Sequence, residues 1–268
     1  MKIHPTAIVH PKANIKDDVE IGPFSIIEEN ITIGQGTKIG SHVILNGWTT
    51  IGKNCTIHMG CVLGHEPQIK GYKEKESYTI IGDNNIIREY VTIHRGWKEK
   101  EKTTIGNDNY IMANAHIAHN CEIGSGVIIT NYALLAGHVI VEDKSVISGL
   151  VGIHQFCRIG TYAMIGGISS VIQDVPPYML AGGNPAIIHG INVVGLRRAE
   201  VTQDIRNNLK TAYKILYRSG FNTSQALAKI EQEITPFQEI NHLINFIKAS
   251  KRGICSGKRQ KKNWTYCR

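Results

Sequence analysis

Residues Asn114-Ala-His-Ile-Ala-His-Asn-Cys121 carry two imidazoles three positions apart, in a stretch otherwise rich in Ile, Gly, Thr and Asn. Imidazole, with an unperturbed pKa of ~6.5, is the side chain best suited to take a proton from a hydroxyl near neutral pH. Of the twelve histidines, His94, His116, His119, His138 and His154 crowd into one part of the chain. A lone histidine usually packs or faces solvent, whereas a cluster points to chemistry. Gly137 follows His119 by eighteen positions, and His138 follows Asn120 by the same interval. If eighteen residues complete one coil, His119 lies directly beneath Gly137. A general base beside an accessible backbone N–H is the minimum equipment for acyl transfer, because the base activates a hydroxyl and the amide receives the oxyanion. Two rival readings use the same residues. His94, His116 and His119 could hold zinc in a metal-dependent hydratase, or the cluster could belong to a non-catalytic binding scaffold.

The eighteen-residue coil follows from a repeat. Stepping by six from Ile3 to Val171 meets an aliphatic residue everywhere except Lys75 and Glu99. Glycine often comes next, as at Gly22, Gly34, Gly52, Gly124 and Gly160, and a small residue usually stands two places before, as at Ala7, Ser25, Thr37, Ala115 and Ala133. Period six suits neither a helix nor an alternating strand. It suits a parallel β-helix in which three hexads form a triangular coil and successive coils stack ~4.8 Å apart. Glycine is then expected to supply the turn conformations that other residues resist. His65 to Tyr78 and Gly96 to Thr103 leave the pattern, contain both misfits, and re-enter in phase at Ile81 and Ile105. They read as loops projecting from corners, where a solenoid carries specificity.

The rhythm stops after Val171, and Pro176-Pro177 is expected to close the prism. Ile205, Leu209, Ala212 and Leu216 then form a helical stripe ended by Gly220. Thr223 or Ser224 can cap a second helix through Ile230, and Pro236 opens a third with Ile240, Leu243 and Ile247 inward. The expected architecture is all-β repeat over 1–175, a linker and C-terminal α-helical subdomain over 176–254, and a basic tail over 255–268.

Composition bounds the function. The 268 residues are 42% hydrophobic, poor in aromatics and hold 27 glycines, as a turn-rich β protein would. No apolar run of ~18 residues suggests a membrane span, and the N-terminus lacks a signal-peptide core. A cytoplasmic location is the expectation. The net charge of +8 comes largely from Lys251, Arg252, Lys258, Arg259, Lys261, Lys262 and Arg268. That tail reads as solvated and disordered, with no aromatic-interleaved pattern to suggest a nucleic-acid partner. Cys55, Cys61, Cys121 and Cys157 share one phase of the repeat and read as core packing in a reducing compartment, while Cys255 and Cys267 fall in the tail.

Asn114 to Cys121, Leu135-Ala-Gly-His138, Val151-Gly-Ile-His-Gln-Phe156, Gln173-Asp-Val-Pro-Pro177 and Gly195-Leu-Arg-Arg198 occur in order. Together, over about residues 3–254, the chain resembles the UDP-N-acetylglucosamine O-acyltransferases, which begin lipid A synthesis with acyl carrier protein as donor. The resemblance implies a left-handed coil, a homotrimer and no cofactor. It implies His119 as base, Gly137 as oxyanion donor, and His116, His138, His154 and Gln155 around sugar and thioester. Asn192 and Arg198 match nucleotide-contacting residues supplied by a neighbouring subunit, and Gly167 matches the position limiting acyl length. The chain departs from the family in the loop Pro67-Gln-Ile-Lys-Gly-Tyr72, where Ile69 and Gly71 replace the usual Asp and Lys. Lys70 stands one place early, with Lys73 as the other candidate. Val194 and Ala199 replace a common Glu and Arg. A relative that acylates an amino-sugar nitrogen would carry the same motifs.

Overall fold

A computed structural model of the chain describes residues 1–257. The basic run from Lys258 to Arg268 and Cys267 lie outside the described residues. Short strands wind into a left-handed parallel β-helix with three faces. The first face has eleven strands beginning at Lys2–Ile3, the second nine from Ile8–Val9 to Ser170–Val171, and the third eight from Asn14–Ile15 to Arg158–Ile159. Within the stacked coils every sixth residue points inward, so Ile21, Ile27, Ile33, Ile117, Ile123 and Ile129 belong to one continuous buried core.

The small-residue slot is largely buried too, and several of its polar members bond between coils, although Thr79 Oγ1 and Asn109 Nδ2 have no partner among the described residues. Thr37 Oγ1 donates to the Gly52 carbonyl and accepts from Cys55 N–H. Cysteine does the same job with sulfur: Cys61 Sγ approaches the Arg88 carbonyl at 2.9 Å and Cys121 Sγ the Ala136 carbonyl at 3.2 Å. Burial pushes both thiols up to about 12.

Glycine supplies the expected turn conformation at Gly36, Gly60 and Gly126 but plays a second part elsewhere. Left-handed backbone recurs three residues after many core aliphatics; Asp18, Phe24, Asn54, Asn114, Asn120 and Tyr162 adopt it, as do Gly36, Gly60 and Gly126. Gly22, Gly34, Gly52, Gly124 and Gly160, which follow aliphatics, have ordinary φ. A Cβ on Gly22 would lie 2.7 Å from the Gly40 backbone, and one on Gly34 2.5 Å from that of Gly52. Close stacking of coils, not turn conformation, demands glycine there.

The first face continues past the proline pair. Met179–Gly182 pairs in parallel with Met164–Ile165, and Ile187–Ile191 adds an antiparallel final strand. Among the described residues four helices follow: α1 (Val193–Arg198), unanticipated, α2 (Gln203–Arg218), α3 (Thr223–Glu233) and α4 (Gln238–Lys248). Asn222, not Thr223 or Ser224, caps α3, because Gln225 returns the bond to complete a capping box. The helices dock through Arg158, whose guanidinium lies 4.1 Å over the Phe246 ring, and through His242 Nε2 at 2.8 Å from Glu142. Cys255, assigned to the tail by sequence, is buried, and its N–H donates to the Asp174 carbonyl. Among the described residues no helix is long and apolar enough to cross a membrane.

Candidate active site

Strand His116–Ile117 ends on the second face and Glu122–Ile123 begins on the third, so residues 118–121 turn an edge of the prism. Residues 136–139 and 154–157 turn the same edge in the next two coils. The chain's two excursions leave from this edge as well. Val62–His65 lies on the second face and Tyr78–Ile81 on the third; Thr92–His94 and Lys102–Ile105 repeat the arrangement one coil on. The edge therefore gathers the histidines and the polar loops in one column.

His119 packs directly against Gly137. His138 N–H donates to the His119 carbonyl at 3.0 Å, and a Cβ on Gly137 would stand 2.6 Å from both Cε1 and Nε2 of the His119 ring. The Gly137 N–H has no acceptor among the described residues. His119 Nδ1 lies 2.9 Å from Asn120 Oδ1, which also accepts from Trp97 N–H at 2.9 Å. Because that oxygen only accepts, Nδ1 must carry the proton, and the Nε2 lone pair is free to act as a base.

Other rings flank this centre. His138 lies edge-on to His119 at 5.3 Å and stacks on Phe156 at 4.8 Å. Burial lowers its pKa first, with His119 adding to the effect. His116 sits on the adjoining second face, its Nδ1 2.8 Å from Thr92 Oγ1, and burial lowers its pKa also. His94 meets it edge-on at 5.0 Å and is pushed down to about 4 by burial and then by His116. These rings are neutral near pH 7, so they can donate or accept without adding charge. Among the described residues no group of three or more His, Cys, Asp or Glu side chains is arranged to hold a metal ion.

His154 and Gln155 are exposed on the same edge, one coil above Gly137, whose carbonyl accepts from Phe156 N–H. Lys70 is exposed on the first excursion, two coils below His119. Three other expected site residues are elsewhere. Gly167 turns the edge between first and second faces. Asn192 caps α1 and donates to the Tyr162 carbonyl, at the edge between third and first faces. Arg198 ends α1 and is exposed. One chain does not bring these three to His119.

Sequence reasoning missed the residues that fix the loops. Buried Arg95 donates to the Gly64 carbonyl and to Glu74 Oε1, at 3.0 and 2.6 Å, with Trp48 and Tyr72 rings each 5.8 Å from its guanidinium. It clamps the excursion that bears Lys70. Asn120, Trp97 and Glu101 tie the second excursion to the His119 edge; Asn120 Nδ2 donates to Glu101 Oε2 at 2.9 Å. Only the place of Asn120 beside His119 could have signalled any of them.

Comparison with known proteins finds relatives over most of the chain. Residues 174–255 match the family described as Udp N-acetylglucosamine O-acyltransferase; Domain 2, and residues 102–137 match the bacterial transferase hexapeptide family. Residues 3–97 match the GMPPB C-terminal domain. An acyl carrier protein–UDP-N-acetylglucosamine O-acyltransferase of Thermodesulfovibrio yellowstonii is 51% identical, covering 95% of this chain and 99% of its own. The corresponding protein of Syntrophobacter fumaroxidans is 46% identical, covering 95% and 99%. The crystal structure of a UDP-N-acetylglucosamine acyltransferase from Bacteroides fragilis superposes with a TM-score of 0.92 at 44% identity, covering 94% of this chain and 98% of that one.

Proposed function

The chain belongs to the acyl carrier protein–UDP-N-acetylglucosamine O-acyltransferase family, and from that premise we propose its reaction. It transfers a 3-hydroxyacyl or acyl group from acyl carrier protein to the 3-hydroxyl of UDP-N-acetylglucosamine, the first step of lipid A synthesis, in the cytoplasm and with no cofactor. The observation that carries the mechanism is the His119 ring, with Nε2 free, held against Gly137. Nε2 takes the hydroxyl proton as the oxygen attacks the thioester carbon. The Gly137 N–H stabilises the tetrahedral oxyanion. Collapse breaks the carbon–sulfur bond, and the departing thiolate takes the proton from His119. Purified protein should release carrier thiol from acyl donors only when UDP-N-acetylglucosamine is present, and the product ester should map to oxygen. No thiol release with any donor would favour a binding scaffold; an amide product would reassign the acceptor.

The working unit is a homotrimer in this proposal. Asn192 and Arg198 lie on a different edge from His119, as residues serving a neighbour's nucleotide site would. The edge between first and second faces exposes Phe24 (56%), Tyr90 (54%), Tyr132 (53%), Leu150 (59%) and Ile168 (75%), with His42, Gly60 and Asn114 in the coils between and the last three apolar residues in consecutive coils. Exposed large apolar side chains on successive coils call for protein cover, and heterologous contacts between three copies close a ring. Sedimentation at micromolar concentration should give a trimer; a fully active monomer would defeat this arrangement.

Gly167 lies at the end of that edge, next to Ile168, and is exposed, with space where a side chain would stand. There it would limit acyl reach between neighbouring prisms. Each methylene buried is worth ~0.8 kcal/mol, so Gly167→Met should shorten the preferred chain by several carbons. An unchanged chain-length profile would remove the assignment. His116, His138, His154 and Gln155 would line sugar and thioester on the same edge. Lys70, on the loop clamped by Arg95, would meet donor or nucleotide. Ala at Lys70 should raise the Michaelis constant and Ala at Lys73 should not; the opposite result would transfer the role.

A further inference from the structure

We propose that Glu101 is a positioning residue for the transfer, acting on His119 through the side-chain amide of Asn120. The inference rests on His119 being the base. Four hydrogen bonds hold Asn120: Oδ1 accepts from Trp97 N–H and from His119 Nδ1–H, Nδ2 donates to Glu101 Oε2, and its backbone N–H donates to Thr103 Oγ1 at 2.8 Å. An amide can face His119 by either end. Turned over, the Asn120 NH2 would meet the Trp97 N–H, and its oxygen would meet the Glu101 carboxylate. Glu101 therefore selects the orientation that leaves an acceptor toward Nδ1. Glu101 is itself fixed, since Oε2 also accepts from Lys98 N–H at 3.0 Å. Its pKa lies below the usual carboxylate value: burial alone would raise it, but the Lys98 N–H and the Asn120 amide outweigh burial.

The consequence reaches the base in two ways. First, the Asn120 oxygen fixes the tautomer that leaves Nε2 unprotonated. Second, when Nε2 takes the substrate proton, the imidazolium keeps Nδ1–H pointing at an amide oxygen polarised by a carboxylate on the amide's far side. The proton on Nδ1 does not move. Negative charge thus stands one amide away from the developing cation, contributed by the excursion at residues 96–101 rather than by the repeat.

Three variants test this by turnover, pH profile and thermal melting. Glu101→Gln keeps an acceptor for Nδ2 but removes the charge. It should lower kcat about tenfold with KM for the nucleotide sugar within about twofold. The acidic limb of kcat/KM should move to lower pH, since losing the negative charge makes the imidazolium easier to deprotonate. Glu101→Asp retains the charge and should keep the limb near that of the parent. In an Asn120→Ala background, adding Glu101→Gln should change kcat by less than about twofold, because the route to His119 is already cut. A folded Glu101→Gln protein whose acidic limb coincides with the parent's, or an equal loss in both backgrounds, would overturn the role. His119→Ala separates the two ideas: near-normal turnover there removes the base itself, while an inactive His119→Ala beside an unmoved Glu101→Gln limb removes Glu101 alone.

Discussion

His119→Ala lowers turnover by ~10²–10⁴-fold in a protein that stays folded, and Cys121→Ala leaves turnover largely intact. A sugar hydroxyl is too weak an acid to attack a thioester unaided, so losing the base costs the rate of the chemical step. The fold survives because the half-buried ring sits at an edge, and the bond that stacks its coil comes from the His119 carbonyl rather than from the ring. Cys121 is the other group within reach by sequence, and it would require a covalent acyl-enzyme. Its thiol is fully buried, points at the Ala136 carbonyl and is pushed up to about 12 by burial, so thiolate is scarce near neutral pH. Ala already fills the equivalent slot at Ala115 and Ala133. Transfer assays with thermal melting and intact-mass analysis decide the matter. An acyl group trapped on Cys121, or a folded His119→Ala protein with near-normal turnover, would end the direct-transfer mechanism.

The second large effect comes from adding a single methyl group. Gly137→Ala places Cβ 2.6 Å from Cε1 and Nε2 of His119, closer than real side chains approach. The backbone at Gly137 has ordinary φ, so alanine brings no strain of its own. The ring must therefore turn aside, breaking its bond to Asn120 and moving Nε2 from the oxyanion donor. Displacing a catalytic group by ~1 Å costs ~10²-fold, and the drop should appear in kcat with an unchanged melting temperature. A Gly137→Ala enzyme at parental kcat would mean that the base and the donor are not this pair.

What could be read beforehand divides along the repeat. His119 beneath Gly137 was legible because both lie in regular coils, where eighteen positions in sequence mean one step in space. Glu101 and Arg95 were not, since their roles depend on the excursions, whose residues have no phase. Ile69 shows the hazard: it keeps the six-residue rhythm, yet it lies in a loop and only partly buried. The glycines next to the core aliphatics, such as Gly22, were misjudged for a related reason. Sequence shows that Gly22 follows Ile21, but only stacked coils show the backbone its Cβ would strike. Likewise Asn192, Arg198 and Gly167 are named by their motifs, while the edge each occupies follows from which strands flank it.

Parallel sheets usually imply distant partners in sequence and slow folding. Here Ile117 finds Leu135 eighteen positions on, and the same interval serves most of the prism, so pairing can spread coil by coil. The two excursions are the exceptions. Leu63 pairs with Ile93, thirty positions on, and Ile93 with Ile117, twenty-four on. Closure entropy grows with the logarithm of loop length, about 0.6 kcal/mol per doubling, and both intervals fall short of a doubling. The prism can therefore lengthen the loops at the edge that carries His119 at little cost to folding, and that edge is where this chain spends its irregular sequence.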